Sequence, residues 1–140
     1  MTVLVAVISD VHGNLPALEA VLAELDATGP YDEIVMAGDF AFGGPFPAEC
    51  VELIRRRGFR AVRGNTDEFI VELATAGRRP AYGAEDHQRH GAAQQLIDRW
   101  VVERLTPEQV DYLAELPLQV DVPDTRGEAM AVVHATPWSS

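Results

Sequence analysis

The sequence lacks lysine, contains a single cysteine and has no long apolar run. Without lysine, neither Schiff-base catalysis nor a lysine-dependent phosphate-binding loop is available. The lone Cys50 excludes an internal disulfide framework and any zinc site built from several thiolates, and it favours a reducing compartment. No stretch approaches the ~18 apolar residues of a membrane span, and the short apolar start lacks the basic leader of a signal peptide. We therefore expect a soluble cytoplasmic protein without membrane association.

Basic residues are also scarce. The chain of 140 residues has 11 arginines against 22 acidic residues, for a formal net charge of −11. Because binding to nucleic-acid backbones needs clustered basic side chains, extended nucleic-acid binding is not expected. An anionic substrate must instead be held by local groups. The length and the 47% hydrophobic content fit one globular domain over residues 1–140.

Apolar patterning in the first half alternates between strand and helix. Short β-branched runs predict buried strands, and apolar stripes at helical spacing predict the helices between them. The predicted strands are residues 2–9, 33–37 and 59–62, and the predicted helices are residues 15–27, 46–57 and 67–76. Asn14 and Thr66 are predicted N-caps, and Gly58 is predicted to end the second helix. This order predicts an α/β fold with a parallel sheet covered by helices.

The second half of the chain is less regular. Residues 77–83 are expected to form a loop and residues 86–104 a long helix. Thr106 followed by Pro107 predicts the start of a further helix that ends near Leu116. Two apolar segments, residues 118–122 and 128–133, flank a turn with proline and glycine, which is the pattern of a β-hairpin.

Residues able to bind a metal follow each predicted strand. Asp10 and His12 come after the first strand, Asp39 after the second, Asn65 after the third, and His134 after the last apolar run. In open parallel sheets, sites form where the carboxyl ends of the strands meet at one edge. We therefore expect these side chains to lie side by side.

The residue types at this edge suit divalent cations, which oxygen and imidazole ligands bind readily. Asp10 and His12 are two residues apart, so in an extended chain both side chains point to the same side and can chelate one ion. Asp39 is placed to bridge two ions, with Asn65 and His134 as ligands of the second. Two cations about 3.5–4 Å apart form the usual clamp for phosphoester hydrolysis.

Four motifs in sequence order resemble those of the calcineurin-like metallophosphoesterases. They are Asp10-Val11-His12, Gly38-Asp39, Gly64-Asn65-Thr66-Asp67 and His134. The longer strings around Asp10 and His134 are similar to the small prokaryotic phosphodiesterase branch of the family. The resemblance covers essentially the whole chain. It implies a four-layer αββα sandwich and hydrolysis of phosphomonoesters or phosphodiesters of a small phosphorylated substrate by a hydroxide held between two metals.

The resemblance also implies roles for individual residues. The implied ligands of two divalent ions, from among Mn, Fe, Zn, Ni and Mg, are Asp10, His12, Asp39, Asn65 and His134. The candidate catalytic residues are Asp39, Asn65 and Asp67. Asp39 would be shared by both ions.

Two departures from the family pattern bear on activity. The family commonly has a histidine directly after the asparagine of the third motif, and this chain has Thr66, whose hydroxyl is no general acid near neutral pH. The family also ends its site with a Gly-His-x-His motif, which does not follow His134 here. We therefore expect a fold without its C-terminal portion that binds ions weakly and turns over slowly. The small second sheet should leave apolar surface exposed and favour association, so we expect either a homodimer or a chain truncated from a longer protein.

Other interpretations remain open. A non-catalytic scaffold or binding protein with the same fold is the main alternative. A phosphatase of the haloacid dehalogenase type is disfavoured, because it needs an aspartate where this chain has His12. His87 and His90 lie one helical turn apart and are expected on a solvated face, with metal chelation as the alternative. Arg63 is expected in a surface ion pair, with contact to a phosphoryl oxygen as the alternative.

Overall fold

The computed structural model describes residues 3–76, 92–124 and 128–135. In chain order its elements are β1 (Val5–Ile8), α1 (Leu15–Thr28), β2 (Glu33–Met36), α2 (Pro47–Arg57), β3 (Arg60–Ala61), α3 (Asn65–Ala76), α4 (Ala92–Arg104), α5 (Pro107–Glu115), β4 (Gln119–Pro123) and β5 (Ala129–Val133). Strands β1, β2 and β3 form a parallel sheet in that order, and β4 pairs with β5 as an antiparallel hairpin. The predicted α/β fold is confirmed. The predictions for residues 77–83 and 86–91, which include His87 and His90, lie outside the described residues.

The helix ends follow from the capping residues in the sequence. Asn14 Oδ1 accepts the backbone N–H of Ala17 at 3.2 Å and caps α1. Thr106 and Gln109 form a reciprocal capping box at the start of α5. Gly58 ends α2 in the left-handed region with φ 65°. These three predicted boundaries are confirmed.

The core lies on both faces of the parallel sheet. On one face the helices bury a large apolar cluster whose fully buried members include Met36, Phe40, Ile54, Ile70 and Leu113. On the other face the hairpin buries a smaller cluster, which consists of Val35, Ala37, Val62, Val122 and Val132. The layers therefore run helices, parallel sheet, hairpin. This arrangement fixes the carboxyl ends of β2, β3 and β5 at one edge.

Strand β1 differs from its prediction. Residues 2–9 were expected to be buried on both faces, but the strand spans Val5–Ile8, and Val7 is 50% exposed. In the described residues β1 pairs only with β2, and the hairpin packs mainly against β2 and the end of β3. One edge of the sheet thus keeps exposed apolar side chains. Association of the chain through such a surface stays a prediction.

Helix α3 begins earlier than predicted, at Asn65 rather than Asp67. The reason is that Gly64 is the N-cap and Asp67 makes one half of a capping box. The carboxylate of Asp67 accepts the N–H of Gly64 at 2.9 Å, and the carbonyl of Gly64 accepts the N–H of Glu68. An acidic side chain three residues after the cap stabilises a helix start in this way. Thr66 therefore lies inside the first turn instead of capping it.

The arginines serve structural contacts. Arg55 and Arg56 pair with Glu52, and Arg57 pairs with Asp26. Arg63 donates from Nη1 to the carbonyl of Ala114 near the end of α5 at 3.1 Å, and its Nη2 lies 3.9 Å from Glu68. Cys50 is fully buried in α2. Within the described ranges, no helix combines the length and apolarity needed to cross a membrane.

Candidate metal centre

The structure brings the predicted metal ligands together at the carboxyl edge of the sheet. His12 Nε2 lies 3.5 Å from Asp10 Oδ1 and 3.6 Å from Asp39 Oδ2. His134 Nε2 lies 3.4 Å from Asp39 Oδ1 and 3.0 Å from Asn65 Oδ1. One potential ligand atom from each of Asp10, Asp39 and His134 lies within 4.8 Å of the other two. Four separate loops thus supply one cluster.

Asp39 occupies the middle of this cluster. Its residue is 3% exposed, and its two carboxylate oxygens face different imidazoles, Oδ2 toward His12 and Oδ1 toward His134. The N–H of Thr66, in the first turn of α3, also donates to Oδ1 at 3.0 Å. A carboxylate with one oxygen toward each donor set has the placement of a bridge.

Backbone carbonyls orient both imidazoles. His12 Nδ1 lies 2.6 Å from the carbonyl oxygen of Phe42, and His134 Nδ1 lies 2.7 Å from that of Ala37. Because a carbonyl can only accept, each Nδ1 is the donor. In the neutral ring the lone pair then resides on Nε2, which faces the carboxylates. Metal-binding histidines are commonly fixed in this way.

The ligand loops adopt a conformation that the sequence did not indicate. Asp10, His12 and Asp39 have φ values of 57°, 48° and 60°, in the left-handed region. The expectation of an extended segment from Asp10 to His12 is therefore wrong, although the two side chains do meet. Left-handed backbone at a non-glycine residue costs on the order of 1–3 kcal/mol and tends to cluster at functional sites.

Two glycines allow the loops after β2 and β3 to touch. Gly38 has φ 89°, and a Cβ there would lie 2.7 Å from Gly64 Cα and 2.8 Å from His134 Nδ1. A Cβ on Gly64 would collide with the carboxylate and backbone N of Asp39. The two loops therefore approach each other closely at Gly38 and Gly64. No side chain larger than hydrogen fits at either position without displacing a ligand.

Asp67 is fully buried, so its side chain is closed off from a substrate that enters from solvent. Its oxygens accept backbone N–H groups from Asp39, Phe40 and Gly64. Burial raises the pKa of Asp67 to about 6, although these hydrogen bonds act in the opposite direction. The sequence grouped Asp67 with the catalytic residues, and the structure places it in the interior with both carboxylate oxygens bonded to backbone N–H groups. The signal was present in its spacing of three from Gly64.

Sequence reasoning missed two groups that support the ligands. Ser9 Oγ lies 2.5 Å from Asp10 Oδ2 and 3.2 Å from the carbonyl of Ala37, so its hydroxyl can hold the Asp10 carboxylate. The adjacency of Ser9 to Asp10 was a weak signal for this contact. The carbonyl of Phe42, which orients His12, has no signature in the sequence because any residue provides one.

The donor set fits a divalent metal ion. Asp10 and Asp39 place two carboxylates beside imidazole lone pairs, and among the described residues no arginine forms an ion pair with either carboxylate. Such a concentration of acceptors favours a bound cation. Carboxylate, amide and imidazole ligands together select hard or borderline ions such as Mn, Fe, Zn and Mg.

Comparison with known proteins agrees with this chemistry. The uncharacterized protein MJ0912 of Methanocaldococcus jannaschii is 32% identical over 134 residues, which are 96% of this chain and 50% of that protein. The crystal structure of a metallophosphoesterase from Sphaerobacter thermophilus is similar to this chain, with 31% sequence identity and a TM-score of 0.63. The match covers 88% of this chain and 45% of that protein's chain. A protein proposed to be a diadenosine tetraphosphatase has a TM-score of 0.70 at 23% identity, over 100% of this chain and 54% of its own, and shows the fold alone.

The chain therefore spans about half the length of these relatives. The profile of the family described as calcineurin-like phosphoesterase matches residues 3–134, from the first strand to the last ligand of the cluster. With this match over nearly the whole chain, the protein belongs to the calcineurin-like phosphoesterase family.

Proposed function

We propose that the chain is a metal-dependent phosphoesterase whose site takes two divalent ions that share Asp39. The observation that carries this proposal is the position of the Asp39 carboxylate, with Oδ2 3.6 Å from His12 Nε2 and Oδ1 3.4 Å from His134 Nε2. A site for one ion would need only one of these two carboxylate oxygens. Membership of the family supports phosphoester hydrolysis as the reaction class.

On this proposal each ion would have its own set of donors, and Asp39 would belong to both sets. Asp10, His12 and Asp39 hold one ion, and Asp39, Asn65 and His134 hold the other. When bound, a pair of divalent ions polarises the phosphoryl group and lowers the pKa of coordinated water. The side chains of Asp10 and His12 are 58% and 40% exposed, so this end of the cluster is open to a substrate. Asp39 lies beneath them, closed off from solvent.

The protein itself supplies few other charges to the substrate. Arg63, which directly precedes the third motif, is engaged with the carbonyl of Ala114 rather than directed into the cluster. The charge of a phosphoryl group would therefore be balanced mainly by the ions. With a net charge of −11, the chain suits a small phosphorylated substrate held at the cluster better than extended nucleic acid. Action in the cytoplasm is part of the proposal, since a lone buried thiol suits a reducing compartment.

Thr66 restricts the leaving group. Its N–H donates to Asp39 Oδ1, which places residue 66 beside the bridging carboxylate, but its hydroxyl is too weak an acid to protonate a leaving group at neutral pH. We therefore propose that the site favours phosphodiesters and phosphomonoesters whose leaving groups depart unprotonated, such as nitrophenyl esters, and also phosphoanhydrides.

Hydrolysis of bis-p-nitrophenyl phosphate with and without added Mn²⁺ tests the proposal, together with metal content by mass spectrometry. We expect hydrolysis that requires Mn²⁺, that stops on chelation with EDTA and that falls at least a hundredfold in Asp39→Ala. Asp98→Asn, which alters a buried aspartate of α4 outside the cluster, serves as the matched control and should stay within a few-fold of wild type. Hydrolysis that survives chelation would contradict the proposal. Metal binding without any hydrolysis would support the scaffold alternative.

A further inference from the structure

The carboxylate of Asp67 holds three backbone N–H groups from two different loops. Oδ2 accepts the N–H of Asp39 at 2.8 Å and that of Gly64 at 2.9 Å, and Oδ1 accepts the N–H of Phe40 at 2.9 Å. The residue is fully buried, and within the described ranges it has no ion-pair partner. Both oxygens are therefore committed to backbone, and the side chain joins the loop after β2 to the loop after β3.

The segment that Asp67 holds is itself bonded to the loop after β1. The carbonyl of Gly38 accepts the N–H of Asp10 at 3.1 Å, and the carbonyl of Asp39 accepts the N–H of His12 at 2.9 Å. Residues 38–40 thus donate to Asp67 on one side and accept from the first loop on the other. A shift of this segment would move ligands on three loops together.

Asp67 acts at the most strained point of the segment. Asp39 has φ 60°, a conformation that persists at a non-glycine residue only when its surroundings fix it. The two N–H groups on either side of the Asp39 Cα, its own and that of Phe40, are the ones that Asp67 accepts. Together they hold the backbone torsions of Asp39, and those torsions set the direction of the Cα–Cβ bond that carries its carboxylate.

We infer that Asp67 is a positioning residue that directs the Asp39 carboxylate toward both donor sets and thereby sets the geometry of the site for two metal ions. It does so without contacting a metal ion or the substrate. This inference rests on the proposed function, because it concerns the two ions that Asp39 is proposed to share. It goes beyond a role in stability, since it predicts a change at the ions in protein that is still folded.

Asp67→Asn tests the inference with almost no change in shape. Asparagine keeps one acceptor oxygen and turns an NH₂ donor toward a backbone N–H, so at least one of the three bonds is lost. Circular dichroism checks that the variant is folded. In the folded variant we expect the Mn²⁺ affinity, measured by calorimetry, to fall about 10–100-fold, as when the hydrogen-bond partner of a metal ligand is removed. We also expect the paramagnetic resonance signal of a coupled Mn²⁺ pair to weaken at saturating metal.

Asp98→Asn is the matched control. Asp98 is also nearly fully buried, at 3% exposure, but it lies on α4 and accepts a hydrogen bond from Gln94. It should leave both the Mn²⁺ affinity and the coupled signal at wild-type values. A purely structural role for Asp67 would lower the melting temperature and leave both readouts unchanged in folded Asp67→Asn, and that result would overturn the inference.

Hydrogen exchange of wild-type protein loaded with diamagnetic Zn²⁺ keeps the test decisive if Asp67→Asn does not fold. The amides of Asp39, Phe40 and Gly64 should exchange as slowly as those of the core strands, whereas exchange at the rate of an open loop would overturn the inference. The two proposals fail separately. Wild type that binds no Mn²⁺ contradicts the proposed function, while wild type that binds a coupled pair, with an unchanged Asp67→Asn, contradicts only the positioning role.

Discussion

The imidazole of His134 donates from Nδ1 to the carbonyl oxygen of Ala37 at 2.7 Å, across 97 residues of sequence. This contact ties the end of the β-hairpin to the end of the central parallel strand. It also fixes which ring nitrogen faces Asp39 and Asn65. A single hydrogen bond therefore links the packing of the two sheets to the geometry of the site, and it places His134, at the end of β5, among candidate ligands from the first half of the chain.

The first prediction concerns the shared carboxylate. Asp39→Asn should lose more bound Mn²⁺ and more activity than either His12→Ala or Asn65→Ala, because it weakens both donor sets and removes a charge between them. We expect at least a hundredfold loss of kcat/KM, as for other losses of electrostatic stabilisation at a reacting centre. Metal content by mass spectrometry after dialysis measures the effect. Equal metal occupancy in Asp39→Asn and wild type would rule out a bridging role.

The second prediction concerns the leaving group. Wild type should hydrolyse nitrophenyl esters much faster than alkyl esters, because the Thr66 hydroxyl is too weak an acid to protonate the leaving group. Thr66→His should raise the rate on alkyl esters by a larger factor than the rate on nitrophenyl esters, since general acid catalysis typically contributes 10²–10⁴-fold for poor leaving groups. Rates on paired esters measure this selectivity. Similar rates on both ester classes in wild type, unchanged by the substitution, would refute the role assigned to position 66.

The third prediction concerns the contact between the loops. Gly64→Ala should weaken Mn²⁺ binding and lower the melting temperature, because its Cβ would displace the Asp39 carboxylate. Gly58→Ala is the control: its φ is 65°, but a Cβ there meets nothing within 4 Å. It should cost about 1–2 kcal/mol of stability from backbone strain alone and leave Mn²⁺ affinity unchanged. Equal Mn²⁺ affinity in the two variants would contradict the close approach at Gly64.

The fourth prediction concerns Cys50. Burial raises the pKa of its thiol from 9.0 to about 12, so the thiolate fraction near pH 8 falls about a thousandfold. Ellman's reagent should not react with native protein at pH 8 and should react with one thiol in urea. Because the folded state keeps this proton to higher pH than the unfolded state, stability from this group should decline as pH rises above about 9. Rapid reaction of native protein would contradict the burial of Cys50 in α2.

The rule that parallel strands end at one edge accounts for the success of the sequence prediction. It predicts that Asp10, Asp39, Asn65 and His134 lie together, because each follows an apolar run. Helix caps at Asn14 and in the Thr106 box were equally readable, since side-chain oxygens at these positions satisfy free N–H groups at a helix start. These features depend on local chemistry and on the order of elements.

Other features depend on contacts between loops, which a single sequence does not encode locally. The left-handed backbone of Asp10, His12 and Asp39 depends on contacts with neighbouring loops, and a positive φ is uncommon at non-glycine residues even though Asp and His adopt it more often than most. The exposure of Val7 reflects how far the hairpin reaches across the sheet. The burial of Asp67 could not be predicted from the sequence, because two of its three backbone donors, Asp39 and Phe40, belong to a different loop.

Anomalous diffraction from crystals grown with saturating Mn²⁺ is the most direct test of the proposed site. Two peaks about 3.5–4 Å apart are expected, one on each side of the Asp39 carboxylate, with His12 beside one and His134 beside the other. In Asp39→Asn crystals at the same Mn²⁺ concentration both peaks should weaken. A single peak, or full peaks that do not contact Asp39, would contradict the shared two-ion centre.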